Sequence, residues 1–240
     1  MTLSIDHIVI HVQDLETAIA RYRDVGFTVN YGGQHADGIT ENALIIFADG
    51  TYVELIALVD GKTYDEAGFK GLLKAGGEGY TGYALQSDDL EADLEAIRER
   101  GLVVGEVREG SRARPDGTLL QWKMAQLDNS MSPFMIQDVT ERHLRVPNES
   151  EQVTHPNGAT GIHEVLIHTN DLEATLAHYS LIFGTPNRMP GAGRFDVGTS
   201  GIVITQSRTE YDGLPHQLAV ATASPDPLPM VLHEARLLLL

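Results

Sequence analysis

The sequence predicts an α+β fold built from repeated strand, helix, strand, strand, strand (βαβββ) modules. Three observations predict it. One short acidic pattern occurs three times, as Asp14-Leu15-Glu16-Thr17, Asp89-Leu90-Glu91-Ala92 and Asp171-Leu172-Glu173-Ala174. Each copy follows a strand-like run, and each is closed at nearly equal distance by a glycine, Gly26, Gly101 or Gly184.

Each pattern reads as a helix of about three turns, with an acidic residue complementing its N-terminus and a glycine closing its C-terminus in a left-handed cap. Leu15, Ala18, Ile19 and Tyr22 recur at helical spacing. Leu90, Leu94 and Ile97 do the same, as do Leu172, Leu176 and Tyr179, so each helix buries one face. The strands ahead of the helices are Ile5 to Val12, Tyr80 to Gln86 and Ile162 to Thr169. In the first module the helix is followed by Phe27 to Tyr31, Ala43 to Phe47 and Tyr52 to Leu58, with Asp49-Gly50 as a hairpin turn. In the second it is followed by Leu102 to Val107, Leu119 to Ala125 and Pro133 to Val139. There the segment Glu109 to Gly117 reads as a hairpin loop and Asp128-Asn129 as a turn. These two modules, about residues 3–60 and 79–140, form a first domain over residues 1–141. Residues 142–159 are polar, hold Pro147 and Pro156, and read as a linker. Residues 160–240 hold a third module, with strands at Phe195 to Val197 and Gly201 to Thr205. A partial fourth begins at His216 to Thr222 and continues as a helix over Pro229 to Leu239. The second domain is therefore expected to be abbreviated or truncated.

A formal net charge of −17 disfavours nucleic acid and anionic membrane as partners, because phosphates are repelled at long range. A small molecule is the expected partner. The absence of cysteine excludes disulfides, thiolate metal sites and thiol nucleophiles, and suits a reducing cytoplasm. Met1 to His11 enters a strand pattern directly, so no signal peptide is expected, and no run reaches membrane-spanning length. There is no phosphate-binding glycine loop, so no nucleotide cofactor is expected, and no nucleophile elbow.

Paired modules of this kind, over residues 3–139, resemble the vicinal oxygen chelate superfamily, whose members include glyoxalases, bleomycin-resistance proteins and dihydroxybiphenyl dioxygenases. The likeness to glyoxalase-like domain proteins is carried by the opening Leu3 to Val9 with Asp6-His7, and by Gly33-Gln34-His35 with Gly38, Thr40 and Asn42. Further matches are Tyr52-Val53-Glu54-Leu55, Arg112 to Gly117 followed by Trp122, and Pro133-Phe134-Met135-Ile136. The resemblance implies a cup-shaped mixed sheet around a ligand, with His7 on the first strand and Glu54 on the fourth holding one divalent metal ion (Fe, Mn, Zn, Ni or Mg). Such an ion polarises substrate oxygens in lyase, isomerase or dioxygenase chemistry. The alternative it implies is a metal-free protein of the bleomycin-resistance type, binding or sequestering a small molecule. A homodimer is compatible with either.

On a two-residue period His7 shares a face with Ile5, Val9 and His11, and Glu54 with Tyr52, Ile56 and Leu58. A carboxylate embedded in Val-Glu-Leu-Ile is costly to bury without a cation or donors, so Glu54 serves either a metal or a neighbouring polar group. The second module offers only Gly82 and either Ile136 or Gln137 at the matching positions, which leaves His35 as a third ligand or a catalytic group, or as a histidine that stabilises its loop. Arg112 and Arg114, beside Asp116 and Trp122, read as holders of a substrate carboxylate or phosphate, or as a hairpin pinned by an Arg–Asp pair. Asn42 and Tyr52 are candidates to orient a ligand. His163 and His216 open strands in the second half, but with no matching glutamate they read as ordinary strand-end histidines.

Overall fold

The computed structural model describes residues 3–67, 77–128, 133–208, 215–223 and 228–240. The first module runs β1 (Ser4–His11), α1 (Leu15–Asp24), β2 (Asn30–Gln34), β3 (Thr40–Ile46) and β4 (Tyr52–Leu58). The second runs β5 (Gly79–Gln86), α2 (Leu90–Glu99), β6 (Arg108–Ala113), β7 (Leu119–Gln126) and β8 (Phe134–Asp138). Two short helices, α3 (Arg142–Arg145) and α4 (Ser150–Val153), lead to β9 (Ala159–Thr169) and α5 (Leu172–Phe183). After them come β10 (Asn187–Met189), β11 (Ala192–Val197), β12 (Ser200–Gln206), β13 (Pro215–Thr222), β14 (Leu228–Leu232) and β15 (Ala235–Leu239).

The three long helices start as local chemistry dictates. Asp14, Asp89 and Asp171 each accept a hydrogen bond from the backbone N–H three residues on, satisfying one of the donors a helix start leaves open. Gly26, Gly101 and Gly184, just past the helices, all have positive φ. Two sheets result, ordered β2-β3-β4-β1-β5-β8-β7-β6 and β10-β11-β12-β9-β13-β15-β14. In each module the first strand pairs parallel with the last, and the first strands of paired modules meet antiparallel, as β1 with β5 and β9 with β13.

The first sheet curls until its edges touch. His35 and Arg112 form an antiparallel bridge between the loop after β2 and strand β6, and the Ala36 N–H donates to the Ser111 carbonyl. Gly33 permits this approach: its φ is +112°, and a side chain there would collide with the Ala113 carbonyl. The apolar backs of both sheets, with the helices, form a single core that includes Ile8, Ile10, Val53, Leu55, Val165, Ile167, Leu218 and Leu237. Tyr83 Oη donates to Tyr179 Oη across it, and Tyr80 Oη to the Arg236 carbonyl.

Four expectations change. The segment Pro229 to Leu239 is a hairpin, not a helix: Ala235, Leu237 and Leu239 are buried at a period of two, and the turn residues His233 and Glu234 both have positive φ. The fourth module thus contains strands equivalent to the first, third and fourth of the others, with β15 parallel to β13. Strand β6 lies at Arg108–Ala113, mostly within the segment read as a hairpin loop. Leu102 to Val107 makes only an isolated bridge, between Val104 and Leu127, although Leu102 is buried in the core. Residues 142–159 are not merely a spacer, since Arg145 and His155 within them are buried against the first sheet. Asn129 of the expected turn lies outside the described residues.

Candidate functional site

The concave face of the first sheet encloses a cavity of about 530 Å³. Strict alternation would place Ile5 beside His7, but a register shift between Ile5 and His7 breaks it. Ile5 joins the core, while of the next two residues His7 lines the cavity and Asp6 is buried against His7. At the other end of β1, His11 turns to the Gly77 carbonyl and does not line the cavity.

His7 and Glu54 come together. His7 Nε2 lies 3.5 Å from Glu54 Oε2, and His7 Nδ1 lies 2.6 Å from Asp6 Oδ1. Asp6 is fully buried and held ionised: burial alone would raise its pKa, but Arg145 and His7 outweigh that and hold the carboxyl well below the usual range. An ionised Asp6 fixes the proton of His7 on Nδ1 and aims Nε2 at Glu54. Arg145 donates to both Asp6 oxygens at 2.9 and 3.0 Å, to Tyr52 Oη at 2.7 Å, and to Asp138 at 2.5 and 2.8 Å. Arg142 adds a further bond to Asp6 at 2.5 Å. The Tyr52 ring stacks beneath the imidazole of His7 at 4.5 Å, so Tyr52 supports the site more than it walls it.

Glu54 is buried with both oxygens engaged. Asn42 Nδ2 donates to Oε1 at 2.6 Å, and His35 Nε2 stands 3.8 Å from the same oxygen. Burial pulls this carboxyl upward, but His7, His35, Asn42 and Arg112 together bring it below its usual value. His35 is itself oriented by Thr40 Oγ1 at 2.8 Å and faces Trp122 edge-on. Asn42 Oδ1 and Thr81 Oγ1 are buried, belong to residues lining the cavity, and have no hydrogen-bond partner among the described residues. Leaving such an atom unpaired costs about 1–3 kcal/mol, which a bound polar molecule would recover. Opposite this polar wall stand Trp122, Met124, Phe134 and Ile136.

The arginine pair separates. Arg112 is buried between the cup and a second cavity, whereas Arg114 lines only the second, its Nε 3.5 Å from Asp116. His163 is exposed and lies apart from His216, which instead stacks on His168 at 3.8 Å. Asp6, Arg142, Arg145 and Thr81 were not singled out from the sequence. The available signal was Arg142 and Arg145 at helical spacing in a segment otherwise read as a linker.

As a metal site this donor set is incomplete. The half of the cup built by β5 and β8 contributes no donor at the positions matching His7 and Glu54. Gly82 has open space before it and Ile136 faces the cavity, while Gln137 is spent on Asp88 and Leu90 at the start of α2. Among the described residues no three His, Asp or Glu side chains gather tightly enough to enclose an ion. His35 approaches the same carboxylate as His7, but the three do not gather tightly enough to serve as the three protein donors a catalytic ion commonly takes.

Three comparisons place the chain. A family model described as a glyoxalase-like domain matches residues 5–183. Among solved structures, a hypothetical protein from Staphylococcus aureus aligns over 100% of this chain and 99% of its own, with a TM-score of 0.79 at 16% identity. A xylose isomerase-like TIM barrel/4-hydroxyphenylpyruvate dioxygenase fusion protein aligns over 92% of this chain and 36% of its own, with a TM-score of 0.57 at 15% identity. Methylmalonyl-CoA epimerase from Mycobacterium tuberculosis aligns over 56% of this chain and 86% of its own, with a TM-score of 0.42 at 19% identity. No curated protein matches the sequence. No helix among the described residues is long and apolar enough to cross a membrane. With its modular sheets, its cup and a family match over most of its length, the chain belongs to the glyoxalase-like domain family.

Proposed function

We propose that the cup is a metal-independent proton-transfer site for a small oxygen-bearing metabolite, of isomerase or lyase type. The observation that carries this reading is the line Asp6–His7–Glu54, in which one imidazole stands between two buried carboxylates at the wall of an open cavity. His7 Nε2 is the atom that takes a proton from a C–H beside a carbonyl and returns it, and Asp6 keeps that nitrogen correctly presented. Glu54, ionised at the other side, stabilises the imidazolium formed in the step. The hydroxyl of Thr81, a residue lining the same cavity, has no hydrogen-bond partner among the described residues and would donate to the oxygen on which negative charge develops. Returning the proton elsewhere on the carbon skeleton gives an isomer, whereas loss of a neighbouring group gives a lyase product.

The test is solvent-deuterium incorporation into a panel of small carbonyl compounds, followed by proton NMR. Protein prepared with chelator is expected to catalyse exchange on at least one of them. His7→Gln is expected to lower the rate by about 100-fold or more, and Glu54→Gln by a smaller factor. Exchange that appears only after a divalent ion is added, or that survives His7→Gln, would sink the reading.

A further inference from the structure

The second cavity, of about 380 Å³, adjoins the cup, sharing Leu44, Arg112 and Arg145 with it, beneath the segment carrying α3 and α4. Its charge is opposite to that of the molecule. In a chain with a net charge of −17, Arg23, Arg112, Arg114 and Arg145 line it, against the single carboxylate of Asp116. Arg145 is neutralised by Asp6 and Asp138. The remaining three guanidiniums face one acid, an excess of two positive charges. Among the described residues their donors are largely unspent. Arg112, only 3% exposed, has five N–H groups and gives one hydrogen bond, to the Gly32 carbonyl. Arg23 gives one, to the Val29 carbonyl, and Arg114 gives one at 3.5 Å to the Leu144 carbonyl beside its contact with Asp116. Burial disfavours the charged form of Arg112 more than Glu54 restores it, so the guanidinium is short of compensating charge where it lies.

From this placement we infer that the arginine cavity is a phosphate site, and that it anchors the phosphate of a phosphate-ester substrate whose reactive carbon lies in the cup. A phosphate dianion matches the excess charge, and its oxygens suit planar guanidinium forks. Arg112 lines both cavities and is the joint between them. Gly32 leaves room at that joint: a side chain there would collide with Asn42 Oδ1 and press on Arg112 Nη1. The inference rests on the proton-transfer reading for what happens in the cup, while the site itself stands on the arginines.

Two measurements test it. The first is calorimetric titration of the full chain with inorganic phosphate, with chloride at matched ionic strength as control. One saturable phosphate per chain is expected, weakened about tenfold or more in both Arg114→Gln and Arg23→Gln and unchanged in His7→Gln. Neither arginine touches the cup, so the variants report on the site and not on the chemistry. Absent binding, or an affinity in both arginine variants unchanged from that of the wild type, overturns the inference. The second compares deuterium exchange on a three-carbon hydroxyketone with that on its phosphate ester. The ester is expected to have kcat/KM about tenfold higher or more, an advantage that Arg114→Gln removes through KM. Equal rates for the two compounds overturn the anchoring role. Phosphate binding with the expected variant pattern, but no exchange on either compound, upholds the site and counts against the chemistry assigned to His7.

Discussion

At the scale of single residues, the site depends on a carboxylate that never faces solvent. Asp6 is buried under Arg145, Arg142 and His7. Asp6→Asn is therefore expected to cost about 3 kcal/mol, because it leaves a buried arginine with one acid fewer. Urea denaturation at neutral pH measures that loss. The same residue sets a pH dependence. Asp6 and Glu54 both have folded-state pKa values below their ordinary ones, 3.8 and 4.5. Each thus contributes stability that is complete above its ordinary value and is lost as pH falls through its lowered one. The wild type should lose stability steeply below about pH 4, and Asp6→Asn should lose it less steeply, as acid titration followed by circular dichroism would show. His7 and Glu54 were legible in the sequence because an ionisable residue inside an apolar strand demands an explanation. Asp6 was not, because the bulge places two consecutive residues on one side of the sheet, which alternation forbids. Arg145 was hidden by its setting, a polar segment with proline close behind.

Among the elements, the readable ones are those fixed locally. The three capped helices needed only an aspartate at one end and a glycine at the other, and the structure supplies the hydrogen bonds and positive φ angles that this pattern implies. Strand β6 and the hairpin β14–β15 are fixed by the strands they pair with, not by their own composition, and both were misread. Arg108–Ala113 has little apolar content and is a strand because β7 lies beside it. Ala235–Leu239, rich in leucine, has the composition of a helix but is pinned as a strand by β13. Its turn is costly: Glu234 holds φ at +58° in a conformation that suits glycine. Glu234→Gly is expected to stabilise the protein by up to about 1 kcal/mol, a rise of a few degrees in Tm by calorimetry.

For the whole molecule, the module repeat was legible and the packing of the modules was not. Periodicity reveals that each sheet has an apolar back, but not which back it meets. Here the two sheets share one core and are tied by Tyr83 to Tyr179, by Tyr80 to Arg236, and by the Ile162 N–H to Thr51 Oγ1. They should therefore unfold together. Trp122, the chain's single tryptophan, sits on the first sheet, so its fluorescence reports that sheet alone, while far-ultraviolet circular dichroism reports both. Coincident urea midpoints by the two probes are expected, and an earlier fluorescence transition would show that the halves separate.

The blank half of the cup makes the protein a short mutational step from a metalloenzyme. Gly82 and Ile136 occupy the places where a paired module would offer an imidazole and a carboxylate, and nothing lies within 4 Å of a side chain started at Gly82. Gly82→His with Ile136→Glu would complete a four-donor chelate with His7 and Glu54. The double variant is expected to acquire stoichiometric nickel or zinc, seen by elemental analysis and as a ligand-dependent gain in Tm. The scaffold would then hold an ion in the same cup by substitution alone, with no insertion or deletion in its strands.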